Sequence, residues 1–238
     1  MCSGRIDLSF VLKAFFNGND GVYIAACKLD ECNYTTHGNY HALKMVMLCK
    51  KIMEYLRLNP NRLRMEFLSA ADGNKFAATV EDFTNEIKSI GVFGKSEGFE
   101  NTDDLKSKIS KVMTLVPYIK IVTREKLLAP ISRNREDWED IFTVEEIREM
   151  FENVPSYYIE PDKCRACGTC FRSCPADAII GGKKLIHIID QSKCIKCGTC
   201  YNACPPKFSA ITKLIGKDVP KRIPEEERSI EKRKVKEA

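Results

Sequence analysis

Two runs of four cysteines in the C-terminal part of the chain constrain its fold more than any other feature. Each run reads C-x2-C-x2-C-x3-C-P. In this pattern three closely spaced thiolates hold one iron-sulfur cube, while the fourth thiolate reaches a second cube. The spacing therefore predicts two [4Fe-4S] clusters. With the crossover, we expect one cluster on Cys164, Cys167, Cys170 and Cys204, and the other on Cys194, Cys197, Cys200 and Cys174.

Two other uses of cysteine fit this spacing poorly. A zinc site needs two Cys-x2-Cys pairs, or one pair and histidines, and has no use for a third cysteine in each run. A disulfide scaffold needs an oxidising compartment, and residues 1–26 show no export signal. The twelve cysteines are therefore expected to be reduced, in the cytoplasm of an anaerobic cell.

The cysteine region also contains an internal repeat. IEPDKC at residues 159–164 is echoed by IDQSKC at residues 189–194. With these motifs, roughly residues 156–214 resemble the two-cluster bacterial ferredoxin domain, which implies an α+β domain with two similar halves. The loop at 204–211 is two residues longer than its counterpart at 174–179, and this changes no ligand.

Composition limits the class of protein. The chain has 238 residues, of which 44% are hydrophobic and 30% charged, a profile typical of soluble globular domains. No apolar run approaches the roughly 20 residues that span a bilayer. The net charge of +5 falls when bound thiolates are counted, so we expect no nucleic-acid partner.

The first 95 residues follow a different pattern, in which helices and strands alternate. Apolar periodicity predicts helices at 7–17, 39–58 and 72–90, and strands at 21–27 and 62–68. This order indicates an α/β domain with a small parallel sheet, where ligands bind at the carboxyl ends of the strands. Cys27 lies at such an end.

This N-terminal region resembles the delta subunit of methyl-viologen-reducing hydrogenase over residues 1–93. The resemblance implies a [2Fe-2S] cluster. It also implies a relay of electrons from a hydrogenase, formate dehydrogenase or similar redox subunit to a flavoprotein like the A-type subunit of heterodisulfide reductase. The matching motifs are MCSGRID at 1–7, GVYIAAC at 21–27, DECNY at 30–34, GNY at 38–40 and RLRMEFLSA at 62–70.

The resemblance is to an N-terminally shortened member of that family, since an extra strand and a cysteine-rich turn normally precede the Cys-Ser-Gly-Arg motif. Cys2, Cys27 and Cys32 are the candidate ligands that remain. A fourth ligand would come from Cys49 or from a separate chain that supplies the missing part. Two alternatives stay open: a retained cluster with Cys49 as a buried structural thiol or ligand, and a decayed site that keeps only a docking surface.

The rest of the chain divides by pattern into further segments. We expect a domain at 1–94, a helical linker region at 95–155, the ferredoxin domain at 156–215 and a charged tail at 216–238. In the linker, a helix is predicted at about 103–115, a strand within 116–130, and a helix up to residue 152 with Thr143 as its N-cap. The tail is expected to be a solvated helix or disordered, and His37, His41 and His187 are expected at the surface or as caps.

Two functions remain compatible with these patterns. In the first, the chain is a non-catalytic electron-transfer subunit of a cytoplasmic oxidoreductase complex. In the second, Cys27 and Cys32 form a redox-active dithiol, which would make the chain a small reductase. A dithiol active site needs a nearby acid or base, and no such group is evident in the sequence.

Overall fold

A computed structural model describes residues 2–34, 38–131, 138 and 141–230. The chain divides into an N-terminal unit, Met1–Met150, and a C-terminal unit, Phe151–Ala238. The four-part division predicted from the sequence, with limits at residues 94, 155 and 215, stays a prediction. Among the described residues, no helix is long and apolar enough to cross a lipid bilayer.

The N-terminal unit begins with the predicted α-β-α-β-α order. Its two strands pair in parallel, from Val22 opposite Leu63 to Ala26 opposite Phe67. The α/β class with a small parallel sheet, predicted from the sequence, is therefore confirmed. The elements are α1 (Leu8–Phe16), β1 (Val22–Ala26), α2 (Asn39–Tyr55), β2 (Leu63–Phe67) and α3 (Gly73–Ile90).

Local signals explain where these helices begin and end. Asp7 caps α1, because its carboxylate accepts a hydrogen bond of 2.9 Å from the Ser9 amide. The buried face of α1 repeats at helical spacing, so this helix packs one side against the core. Gly91 ends α3 with φ of +89°, a conformation that glycine adopts at little cost. The buried residues of α1 are Leu8, Val11, Leu12 and Phe15.

A buried ion pair joins the start of β2 to neighbouring loops. Arg62 has no exposed surface, and its Nε lies 2.5 Å from Oε1 of Glu97. The same guanidinium donates to the carbonyl oxygens of Asp20 and Gly91, each at 2.9 Å. A fully buried cation is tolerated only when it is paired and hydrogen-bonded in this way.

Three further helices complete the N-terminal unit: α4 (Thr102–Val122), α5 (Arg124–Leu128) and α6 (Val144–Glu152). The strand expected within 116–130 is wrong, because α4 continues through Pro117. Its buried residues recur every three or four positions, which is the spacing of a helix face. The buried face of α4 comprises Leu105, Ile109, Val112, Val116, Tyr118 and Ile119.

The predicted start of α6 carries a capping box. The Glu146 amide donates to the Thr143 hydroxyl and the Thr143 amide donates to the Glu146 carboxylate, both at 3.2 Å. Two apolar residues just before α6 also belong to the N-terminal unit. Phe142 is buried, and it lines a cavity with Trp138 and with Met47 of α2.

The C-terminal unit consists of two similar halves. Strand β3 (Pro155–Ile159) pairs antiparallel with β6 (Ile211–Ile215), and β4 (Ile179–Gly182) pairs antiparallel with β5 (Leu185–Ile189). Each half also carries a short helix within its cysteine run, α7 (Thr169–Ser173) and α8 (Thr199–Ala203). This arrangement of strands and helices agrees with the α+β domain of two similar halves that the ferredoxin resemblance implies.

The tail expected to be solvated or disordered packs instead on the C-terminal unit, as far as it is described. The Ile186 amide donates to the carbonyl of Arg228 at 2.7 Å, and the Ile230 amide donates to that of Lys184 at 3.1 Å. Ile223 and Ile230 pack against the core. These apolar residues are spaced among charges, and their burial holds the segment on β5. Residues 231–238 of the predicted tail lie outside the described residues.

Candidate iron-sulfur centres

The C-terminal unit contains two small cavities lined by cysteines. Each cavity collects the four thiols that the crossover pattern predicts for one cluster. The first cavity is lined by Cys164, Cys167, Cys170 and Cys204, together with apolar side chains such as Ile159 and Ile211. The second cavity is lined by Cys174, Cys194, Cys197 and Cys200.

The backbone around each cavity is shaped to bring the thiols together. Gly168 and Gly198, with φ of +76°, lie just before α7 and α8, and each helix carries the third cysteine of its run. At these positions a side chain would be strained and would also collide, since a Cβ at Gly198 would lie 2.7 Å from the Tyr157 hydroxyl. The close approach of backbone to cavity therefore depends on glycine.

Backbone amides support the two crossover cysteines. The Ala178 amide donates to Cys174 Sγ and the Ala210 amide donates to Cys204 Sγ, each at 3.3 Å. Hydrogen bonds to sulfur stabilise the thiolate form and help to set the reduction potential of an iron-sulfur centre. The extra two residues of the second loop leave this contact intact in both halves.

Burial controls the protonation of the thiols when no metal is bound. It raises the pKa of Cys170 to about 11 and that of Cys200 to about 12. Cys167 is exposed, and its hydrogen bond with Thr169 lowers its pKa. Iron would have to displace protons from the buried thiols, so binding should weaken as the pH falls.

The cysteine sets suit an iron-sulfur cluster better than a single ion. Within the described ranges, no three His, Cys, Asp or Glu side chains converge closely enough to hold one metal ion. The thiols surround a space instead, and soft sulfur ligands in an apolar lining favour iron-sulfur clusters. The residues present therefore fit the group that the spacing predicts.

The N-terminal unit places its three candidate ligands near one another, but within the described residues they do not converge closely enough to hold a single metal ion. We name Cys2, Cys27 and Cys32 the N-terminal cysteine group. The Cys32 thiol is in hydrogen-bonding contact with the thiols of Cys2 and Cys27. Burial opposes ionisation of Cys32, but these contacts and the amides of Tyr34 and Asn39 lower its pKa overall. An amide at the start of a helix is a common cause of such a shift.

The start of α2 is held against the loop that carries Cys27 and Cys32. Asn39 Nδ2 donates to the carbonyl oxygens of Cys27, at 2.9 Å, and of Lys28, at 2.7 Å. A Cβ at Gly38 would lie 2.3 Å from Cys32 Sγ, so only glycine fits beside this thiol. His37 of the sequence predictions lies outside the described residues.

Cys49 lies apart from the N-terminal cysteine group. It is fully buried in α2, and burial raises its pKa to about 12. Ten residues of helix separate it from Asn39, which is a rise of about 15 Å. This separation along α2 argues against Cys49 as the fourth ligand, and its complete burial supports a structural role.

One residue near the cysteines was assigned incorrectly from the sequence. His187, expected at the surface or as a cap, is 2% exposed and lines the first cavity. Burial and the charges of Arg228 and Arg172 lower its pKa. The repeat contained the signal, since His187 stands where Tyr157 stands in the other half.

Comparison with known families agrees with both units. Residues 1–91 match the family described as methyl-viologen-reducing hydrogenase, delta subunit. Residues 143–208 match the 4Fe-4S dicluster domain. The two matches together account for both cysteine-containing regions of the chain.

Curated relatives match the N-terminal region. The A-type subunit of a ferredoxin:CoB-CoM heterodisulfide reductase of Methanosarcina mazei is 45% identical over 94 residues, which are 40% of this chain and 12% of that protein. The D-type iron-sulfur subunit of an F420-non-reducing hydrogenase of Archaeoglobus profundus is 39% identical over 39% of this chain and 66% of the relative. The chain thus spans about an eighth of the first relative and about two thirds of the second.

A third relative extends the comparison to another archaeon. The D-type iron-sulfur subunit of the F420-non-reducing hydrogenase vhu of Methanopyrus kandleri is 33% identical over 90 residues, which cover 38% of this chain and 67% of the relative. Through its N-terminal domain, the chain belongs to the family of the methyl-viologen-reducing hydrogenase delta subunit, and it carries a 4Fe-4S dicluster domain after it.

Proposed function

We propose that the chain is an iron-sulfur electron-transfer subunit of a hydrogenase or heterodisulfide reductase type of complex. The observation that carries this proposal is the pair of four-thiol cavities in the C-terminal unit. When bound there, each [4Fe-4S] cluster would accept and release one electron at a time. The ligand sets proposed are those of the two cavities, with Cys174 and Cys204 exchanged between the runs.

The protein itself contributes exclusion of water and control of charge. Apolar residues line both cavities, and burial keeps Cys170 and Cys200 away from solvent. The exposed edge at Cys167 gives the first cavity a route for electrons to a partner. Electron transfer needs no substrate pocket, so the chain is proposed to be non-catalytic.

For the N-terminal cysteine group we propose a [2Fe-2S] cluster with Cys2, Cys27 and Cys32 as ligands. The contacts of the Cys32 thiol with the thiols of Cys2 and Cys27 support this proposal. The fourth ligand is proposed to come from another chain, since Cys49 lies too far along α2. A separate partner chain is one such source.

The partners proposed follow from the relatives. The N-terminal domain would meet a flavoprotein like the A-type subunit of heterodisulfide reductase, and the ferredoxin domain would meet an electron-donating or electron-accepting redox subunit. A hydrogenase or formate dehydrogenase is the donor class proposed. A cytoplasmic location is also proposed, because a chain with twelve cysteines, eight of them in cluster-binding spacing, suits a reducing compartment.

A second function is favoured by one observation at the same group. Cys27 is exposed and its thiol contacts Cys32, whose pKa is lowered. This is the chemistry of a redox-active dithiol, which would make the chain a small reductase. The third thiol of Cys2 favours a metal cluster, because a dithiol reaction does not require it.

Anaerobic purification of the full chain tests the main proposal. The protein should contain about eight irons and about eight acid-labile sulfides in the C-terminal unit, four for each cube. After reduction with dithionite, the EPR spectrum should show two interacting centres. Stoichiometric zinc, or iron without labile sulfide, would contradict the proposal.

The dithiol alternative has its own test. Cys2→Ser should abolish a [2Fe-2S] signal, yet it should leave a Cys27–Cys32 dithiol able to form a disulfide. Cys49→Ser is the matched control, because it removes a cysteine that lies outside the group. Reversible disulfide formation by wild-type protein, with no [2Fe-2S] signal, would favour the reductase.

A further inference from the structure

The two cysteine cavities differ in polar side chains at two equivalent positions. Arg165 of the first cavity corresponds to Ile195 of the second, and the other pair involves two aromatic side chains. Tyr157 of β3 lines the second cavity, and His187 of β5 lines the first. Each ring lies 6.1 Å, centroid to centroid, from an aromatic ring on the helix of its cavity. The partners are Tyr201 for Tyr157 and Phe171 for His187. The repeat therefore places a phenol at one centre and an imidazole at the other.

His187 carries a buried polar atom that needs a partner. The side chain is 2% exposed, and its Nδ1 has no hydrogen-bond partner among the described residues. Buried polar atoms are nearly always hydrogen-bonded, so an orphan at a cavity wall indicates a ligand in that cavity. The ligand expected there is the cluster held by the four thiols of the first cavity.

The orientation of the ring is consistent with this interpretation. A Cβ at Gly181 would lie 2.0 Å from Cδ2 and 2.5 Å from Nε2 of His187, so that edge packs on the backbone of β4. Nδ1 belongs to the opposite edge, which faces away from Gly181. Because residue 181 is glycine, the imidazole of His187 can occupy the space where a Cβ would otherwise lie.

Positive charge is also concentrated near the first cavity. Arg228 is 5% exposed, and its guanidinium donates to the carbonyls of Ile186, at 3.0 Å, and Ile180, at 2.9 Å. Arg172 belongs to α7, next to the exposed Cys167, and both arginines act electrostatically on His187. Nearby positive charge and hydrogen-bond donors favour the more negative, reduced state of a cluster.

We propose that His187 donates a hydrogen bond from Nδ1 to the cluster of the first cavity, and makes that cluster the easier of the two to reduce. This inference rests on the proposed function, because it requires clusters in both cavities. If both cavities held clusters, an electron on the second would pass to the first, which His187 makes the better acceptor, and the transfer would need no proton.

Redox titration of the full chain, followed by EPR with dithionite as the reductant, tests the role of His187. In His187→Phe, an aromatic side chain is kept and the hydrogen-bond donor is lost. We expect the equilibrium constant for reduction of the first centre to fall about tenfold. For a one-electron step this lowers its reduction potential by about 59 mV. The second centre should keep its potential. Cys167→Ser assigns the two signals, because it alters only the first centre.

The chain offers matched controls in the other cavity. Tyr157→Phe should leave the first centre unchanged, and Tyr157→His should make the second centre easier to reduce. If His187→Phe does not retain iron, the Tyr157→His variant decides the question alone. Unchanged potentials in His187→Phe, or an equal shift of both centres, would overturn the inference. Wild-type protein that binds no clusters would contradict the proposed function instead.

Discussion

Removing the negative charge of Glu97 should strongly destabilise the N-terminal unit without changing its cysteine group. Arg62 is fully buried and the Glu97 side chain is 6% exposed, so Glu97→Gln leaves a charged guanidinium without its counter-ion. The pair lies at the beginning of the parallel strands, whereas Cys27 follows the other end of β1. The substitution should therefore lower the free energy of unfolding and leave cluster binding unchanged.

The expected magnitude follows from the burial of the pair. Breaking a buried ion pair by removing one partner costs about 3–5 kcal/mol. Glutamine still accepts one hydrogen bond from Arg62, so we expect a cost near the lower limit, about 3 kcal/mol. With a denaturant dependence of about 2 kcal/mol per molar urea, the unfolding midpoint should fall by about 1.5 M.

The single tryptophan of the chain gives a local assay. Trp138 lines a cavity of the N-terminal unit, so its fluorescence in anaerobic urea titrations reports this unit. Asp82→Asn is the matched control, because Asp82 pairs with Arg64 but is 72% exposed. An exposed pair contributes at most about 1 kcal/mol, so its midpoint should move by under about 0.5 M. Equal shifts in the two variants would refute the argument from burial.

Three other changes should give distinct results. Cys174→Ala should damage the cluster held mainly by the second cysteine run, which EPR would show. Loss of only the first cluster would show that the cysteines are assigned to the wrong clusters. Replacing both Cys27 and Cys32 by serine should abolish any [2Fe-2S] signal and electron transfer to the flavoprotein, while both [4Fe-4S] clusters remain. Unchanged electron transfer would mean that the N-terminal domain serves only for docking. Hydrogen bonding from Ser69 and pairing with Lys28 lower the pKa of Asp72 to about 2 from 3.8. Its stabilising contribution is therefore complete above pH 4 and lost as the pH falls towards 2, so Asp72→Asn should make urea stability less sensitive to acid.

Short-range patterns predicted much of this structure. The order of helices and strands up to residue 90 follows from apolar periodicity and from caps such as Asp7 and Gly91. Cysteine spacing likewise predicted which thiols share each cavity, because the three cysteines of a C-x2-C-x2-C run are so close in sequence that they can line only one cavity. In both cases the determining residues are close in sequence or repeated at a regular interval.

The errors came from long-range packing. Val116 and Ile119 belong to a β-branched stretch that reads as a strand, but contacts with the core keep it helical. The burial of Arg228 and Ile230 depends on β5, about forty residues earlier in the chain. His187 looked like an isolated histidine in the sequence, and its place at a cavity wall depends on pairing with Gly181 and on the cysteine runs folding around it.

The contact of residues 228–230 with β5 also protects the sheet. A two-stranded hairpin has free amides and carbonyls along its outer edges, and such edges recruit strands from other copies of a protein. The bridge between Leu185 and Ser229 occupies part of this edge with the chain's own backbone. A shortened protein that ends after β6 would expose that edge, so aggregation during cluster assembly is the expected consequence of trimming this segment.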